Sequence, residues 1–142
     1  MVDHFLVPVD DSDPAVDAFD YAVENYPDAS ITALHVVDPS EVNTAVSIEG
    51  AATYTDVLEA HESRAENLLA EMRERAAERG VDVETDYVVG EVARSIVDYV
   101  DEHDIDHVVI GSHGRSGATR VLLGSVAEAV TRRSQVPVTV IR

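Results

Sequence analysis

The chain of 142 residues has no cysteine, and all ten of its basic residues are arginine, so lysine is absent as well. The first absence excludes disulfides, thiolate metal sites and cysteine nucleophiles. The second excludes a P-loop of the form G-x-x-x-x-G-K-[ST], whose lysine reaches the terminal phosphates. No apolar run approaches the roughly 18 residues of a transmembrane helix. Phe5 to Val9 is too short for the apolar core of a secretion signal, and a cytoplasmic location is expected. The six histidines show no H-x-x-x-H spacing, so no dedicated metal site is expected. A nucleophile elbow G-x-S-x-G is also missing. There is no linker, no low-complexity tract and no repeat beyond an alternation of strand and helix patterns, so a single domain over 1–142 is expected.

What the chain has in excess is carboxylate. Twenty-eight Asp and Glu against ten Arg give a net charge of −18. Dense carboxylates without lysine read as adaptation to a high-salt cytoplasm, where concentrated ions screen their mutual repulsion. The acidic surface is then a signature of environment rather than a docking site for a basic partner. Duplex nucleic acid is not an expected ligand, because it needs many Lys or Arg contacts to phosphate. The charge is also uneven. Residues 1–106 carry 27 acids and five Arg, whereas residues 107–142 carry Arg115, Arg120, Arg132, Arg133 and Arg142 against Glu128 alone. A polyanion is expected to find its best reception in that last segment.

Periodicity places the elements. His4-Phe5-Leu6-Val7-Pro8-Val9 reads as a buried strand ending at Asp10. Asp13-Pro14 reads as the cap and first residue of a helix whose inner face is Ala15, Ala18, Phe19, Ala22 and Val23. A second strand covers 31–37. Residues 40–52 are small and weakly patterned, which suggests a mobile loop or lid. A long helix is expected over 53–79, stopped by Gly80. A third strand over 81–89 alternates more than the others and is expected at a sheet edge. Ala93, Ile96, Val97 and Val100 mark a further helix, 107–110 and 136–141 further strands, and 126–133 a last helix. This order predicts an α/β fold, an open five-stranded parallel sheet with helices on both faces. Ligands of such sheets bind beyond the carboxyl ends of the strands, where strand order reverses. Here that point lies between the first and fourth strands, so Asp10 and Gly111 face one crevice.

The segment Val108-Val109-Ile110-Gly111-Ser112-His113-Gly114 ends the fourth strand, and Gly124-Ser125 opens the last helix nine residues after Gly114. A glycine-rich loop running into a helix N-terminus offers free N–H groups and the positive end of the helix dipole to a phosphate. The spacing Gly111, Gly114, Gly124-Ser125 resembles the nucleotide-binding signature of the universal stress protein family: Gly, two residues, Gly, nine residues, Gly-Ser or Gly-Thr. Pro8-Val9-Asp10, Leu34-His35-Val36-Val37-Asp38 and Val136-Pro137-Val138-Thr139-Val140-Ile141 are also similar to that family, and the resemblance covers the whole chain.

The resemblance implies a Rossmann-like sheet of the adenine nucleotide alpha hydrolase kind, with strand order 3-2-1-4-5. The family has members that bind ATP and members that lost the signature, and an intact signature implies a binder. Asp10 would then meet the ribose hydroxyls. Pro8, Val9 and the backbone of Val36 would line the adenine slot, with Ile110 and Gly111 as its floor. Gly114, Gly124, Ser125 and the N–H of Val126 would hold phosphates. Any Mg2+ or Mn2+ would arrive with the phosphates, held mostly by them and by water. Simpler roles stand beside these. Asp10 is also a natural turn cap, and Ser125 a helix cap. Arg115 reaches either phosphate or solvent, and Gly117 is loop punctuation.

Three functions follow: a nucleotide-dependent stress sensor or interaction module, a slow ATPase or phosphotransferase, and a structural homodimer whose site holds AMP or a cyclic nucleotide or is vestigial. The lack of lysine and of any nucleophile arrangement favours binding over turnover. Val136, Val138 and Val140 alternate with Pro137, Thr139 and Ile141, so the last strand is apolar on both faces and suits pairing with a second copy. The carboxylate excess generates one prediction directly: thermal midpoints rise from dilute buffer to molar KCl, and a flat midpoint contradicts the high-salt reading.

Overall fold

The apolar runs become the inside of a parallel sheet. The structure, a computed structural model, describes residues 3–49, 53–112 and 124–142. In chain order the elements are β1 (His4–Pro8), α1 (Asp13–Asn25), β2 (Ser30–Val37), α2 (Pro39–Glu49), α3 (Tyr54–Ala77), β3 (Glu84–Val89), α4 (Val92–Glu102), β4 (His107–Gly111), α5 (Ser125–Arg133) and β5 (Val138–Ile141). The five strands pair in parallel in the order β3-β2-β1-β4-β5, as expected. Phe5 stands opposite Ile31 on one side and His107 on the other. The alternating strand β3 lies at an edge, paired only with β2.

Alternation along the strands sorts the core into two layers. Phe5, Val7, Ile31, Ala33 and Val109 pack under α1 and α3, against Phe19, Leu69 and Met72. Leu6, Leu34, Val108 and Ile110 point the other way and pack under α4 and α5, against Ile96, Ala127 and Val130. Thr32 is the one buried polar residue among those described, and its hydroxyl meets His4 Nε2 at 2.8 Å. An ion cluster ties α1 to α3. Asp20 receives Arg75 Nε at 2.6 Å and Nη2 at 2.7 Å, and Arg79 Nη1 at 2.9 Å. The Arg75 hydrogen bond holds the Asp20 carboxyl below its ordinary range, partly opposed by burial, with Arg79 adding to the effect.

Several local expectations are corrected. The cap of α1 is Ser12, whose Oγ accepts from Ala15 N–H at 3.4 Å, and Asp13 is already helical. Most of the stretch expected as a loop is helical: Pro39–Glu49 form α2, held down by the fully buried Val42, while 50–52 lie outside the described residues. With Val37, Val57 and Ala65, Val42 forms a third, smaller apolar cluster. β3 starts at Glu84 rather than at Val81, and β5 at Val138 rather than at Val136. The stop at Gly80 holds, since Val81 N–H donates to Ala76 O and Gly80 N–H to Ala77 O, with Gly80 at φ +72. Among the described residues no helix is long and apolar enough to cross a membrane.

Candidate functional site

All five strands point the same way, so their carboxyl ends share one edge of the sheet. A cavity of about 450 Å³ opens there, over the ends of β1, β2 and β4. That volume lies within the roughly 300–1,000 Å³ common for small-molecule sites. Pro8, Val9, Asp10, Val36, Ile110, Gly111, Ser125 and Val126 all line it. Gly124 adjoins the wall as the residue that caps α5 but does not line the cavity itself. Gly114 and Arg115, with His113 and Gly117, lie outside the described residues.

Each strand end is shaped by a local turn. Asp10 Oδ1 accepts from Ser12 N–H at 2.9 Å and from the Ser12 hydroxyl, which in turn caps α1. Asp10 therefore serves as a turn cap and a cavity wall at once. Asp38 repeats the device at the end of β2, taking Ser40 N–H and Ser40 Oγ–H at 2.8 Å each. Between them His35 Nδ1 lies 2.8 Å from the Val9 carbonyl oxygen. A carbonyl only accepts, so Nδ1 carries the proton and the ring orientation is fixed. At the end of β4, Gly111 lies against the first turn of α1. A Cβ there would stand 2.8 Å from Ala15 N and closer still to the Pro14 carbonyl. Glycine is needed here for close approach of two backbones.

The far wall is the N-terminus of α5. Gly124 caps it with φ −62 and ψ 158 and supplies no side-chain cap hydrogen bond. Ser125 is the first helical residue, not the cap. The contrast with α1 and α3 is clear, since Ser12 and Thr53 cap those helices with hydroxyls. α4 also begins on the cavity at Val92 and likewise has no side-chain cap hydrogen bond, but the residue before it is the acid Glu91. An anion is therefore better received by α5 than by the other helix starts.

Sequence reasoning missed one wall altogether. His61, Arg64, Ala65 and Leu68 of α3 line the cavity at i, i+3, i+4 and i+7, one stripe of a helix. Of the basic C-terminal segment expected to receive an anion, Arg115 and Arg120 lie outside the described residues. Arg132 and Arg133 occupy the last turn of α5, the end away from the cavity, and Arg132 pairs with Glu128 at 2.7 Å. Among the described residues that line the cavity, Asp10, Asp11, Asp38 and Glu41 are acidic and Arg64 is the one arginine. Among the described residues no group of His, Asp and Glu is arranged to hold a metal ion.

An open parallel α/β sheet with a cavity at its switch point defines a domain of the doubly wound class, a class whose ligands bind at that point. The match of residues 1–142 to the universal stress protein family model makes the identity specific: the chain belongs to that family. It is 35% identical over 150 aligned positions to the universal stress protein YxiE of Bacillus subtilis (strain 168), with all of both chains covered. The fold is similar to that of the universal stress protein UspA from Lactobacillus plantarum, with a TM-score of 0.82, 29% identity and 99% and 97% of the two chains covered. It is also similar to a universal stress protein solved in complex with cAMP, with a TM-score of 0.74, 27% identity and 99% and 97% coverage.

The packing of Gly111 yields a prediction. Gly111→Ala destabilises the protein by about 1–3 kcal/mol, the usual range for forcing a methyl group into a filled space. Urea unfolding in concentrated KCl measures it, and an unchanged midpoint contradicts the close approach of β4 and α1.

Proposed function

We propose that this protein binds an adenine nucleotide, ATP in first place, in the crevice over β1 and β4, and works as a nucleotide-dependent sensor or interaction module of the stress response in the cytoplasm. The observation that carries the reading is the pairing of an apolar slot with an uncapped helix N-terminus in one cavity. The slot suits a base, and the α5 N–H groups with the Ser125 hydroxyl suit phosphate oxygens. The cAMP complex of a structural neighbour supports an adenine nucleotide as the ligand class.

In this reading Asp10 accepts from the ribose hydroxyls through the part of its carboxylate that Ser12 does not use. Pro8, Val9 and Val36 contact adenine, Ile110 and Gly111 form the floor, and Gly114, Arg115, Gly124, Ser125 and Val126 surround the phosphates. Mg2+ or Mn2+ enters with ATP as a counter-ion of the phosphates. The function is binding rather than turnover.

The second copy of the chain is the proposed protein partner, joined through β5. The two sheet edges differ in a way that supports this. β3 exposes Glu84 and Asp86 along its length, charges that discourage pairing, whereas β5 is Val138, Thr139, Val140 and Ile141, with no charge at all. Each β5 residue is half-buried in the single chain.

Two measurements check these readings. Gly124 has a backbone conformation open to any residue, so Gly124→Val keeps the fold while its side chain blocks phosphate. ATP affinity by calorimetry falls about tenfold or more, or at least 1.4 kcal/mol, and unchanged affinity contradicts the phosphate assignment. Light scattering in high salt gives twice the 15.4 kDa mass of one chain, and Val138→Glu with Val140→Glu returns it to one. A wild-type mass near 15.4 kDa contradicts the dimer.

A further inference from the structure

The guanidinium of Arg64 has no role in the fold described above. Arg64 is exposed on α3 and makes no hydrogen bond or ion pair among the described residues. Most of the other described arginines have a partner. Arg75 and Arg79 hold Asp20, Arg94 meets Asp98, Arg132 meets Glu128, and Arg73 donates to Thr85. Arg64 lines the cavity, on the stripe of α3 that turns from His61 and Arg64 to the apolar Ala65 and Leu68.

Its surroundings say what it is for. The same cavity carries Asp10, Asp11, Asp38 and Glu41. Two of these, Asp10 and Asp38, are engaged by serine turns and therefore cannot swing away. A phosphorylated ligand entering this space is repelled by fixed negative charge, and a neutral nucleoside is not. Selection of the anion requires a cation on the wall, and a guanidinium offers phosphate a planar fork of donors.

We infer that Arg64 is a residue by which the crevice distinguishes a nucleotide from its nucleoside, by pairing with ligand phosphate from the α3 side. The inference rests on the adenine-nucleotide reading and assigns that site a specificity residue from a different helix and a different half of the chain than the glycine signature. His61, one turn earlier, Ala65, the next residue, and Leu68, one turn later, bound the ligand without discriminating its charge.

The test is calorimetry with AMP and with adenosine, at one fixed KCl concentration, on wild type, Arg64→Gln and Arg64→Lys. Arg64→Gln lowers the AMP-to-adenosine affinity ratio about tenfold, the size of one lost charge-assisted contact, while adenosine affinity and the thermal midpoint stay unchanged. Arg64→Lys keeps the positive charge and recovers part of the ratio. Equal losses for AMP and adenosine in Arg64→Gln overturn the inference, because Arg64 then packs on the base. An unchanged ratio in Arg64→Gln overturns it too, while nucleotide binding itself survives. A wild type that binds neither AMP, ATP nor cAMP removes the adenine-nucleotide reading, and the inference with it.

Discussion

Right-handed crossovers send the helices that follow β1 and β4 to opposite faces of a parallel sheet, and the whole carboxyl edge of this structure depends on that divergence. From β1 the chain moves outward to β2 and β3 under α1 and α3; from β4 it moves outward to β5 under α5. The two departures diverge at the switch point, and the cavity lined by the described residues lies there. Its tightest point is where α1 crosses the end of β4. Gly111 lets the Pro14 and Ala15 backbone approach there, and the first turn of α1 then fixes Ser12 and through it Asp10. Gly111 thus acts on the cavity through packing, besides forming part of its floor.

Electrostatics at this edge is a balance of dipoles against carboxylates. Two strands end in an aspartate that turns the chain by accepting serine N–H and O–H groups. These acids are structural, yet they leave negative charge around the cavity. The counterweights among the described residues are the uncapped start of α5 and Arg64. Neither involves the basic C-terminal arginines that the charge distribution brings to mind. Net charge along a segment does not say which end of a helix carries it, and Arg132 with Arg133 stabilises the C-terminal end of the α5 dipole instead.

The sheet was legible in the sequence because its central strands are near-continuous apolar runs and its outer strand β3 alternates. Most of the crevice was legible too, because the ends of β1, β2 and β4 carry recognisable residues, and Pro8, Val9, Asp10, Val36, Ile110 and Gly111 do converge. α2 was not legible. It packs mainly through Val42, Ala45 and Val46, too few apolar positions to produce a helical period among small polar residues. Arg64 was not legible either. On a long helix with a polar outer face, one arginine looks like any other; only the folded arrangement makes 61, 64, 65 and 68 a cavity wall. The turn at Asp10 was half legible, since the sequence allows both a cap and a site residue and the folded chain uses it as a cap on the cavity wall.

The central claim is that the crevice over β1 and β4 is an adenine-nucleotide site. Protein purified without added nucleotide, kept in concentrated KCl, desalted and then denatured, releases whatever small molecule it carried from the cell. Mass spectrometry of that release, set against the free-ligand background of the same buffer, is the most direct measurement. The account predicts an adenine nucleotide, at a ratio to protein that falls in Gly124→Val. Release of a molecule of another class, at a ratio near one per chain and lost in the same variant, contradicts it.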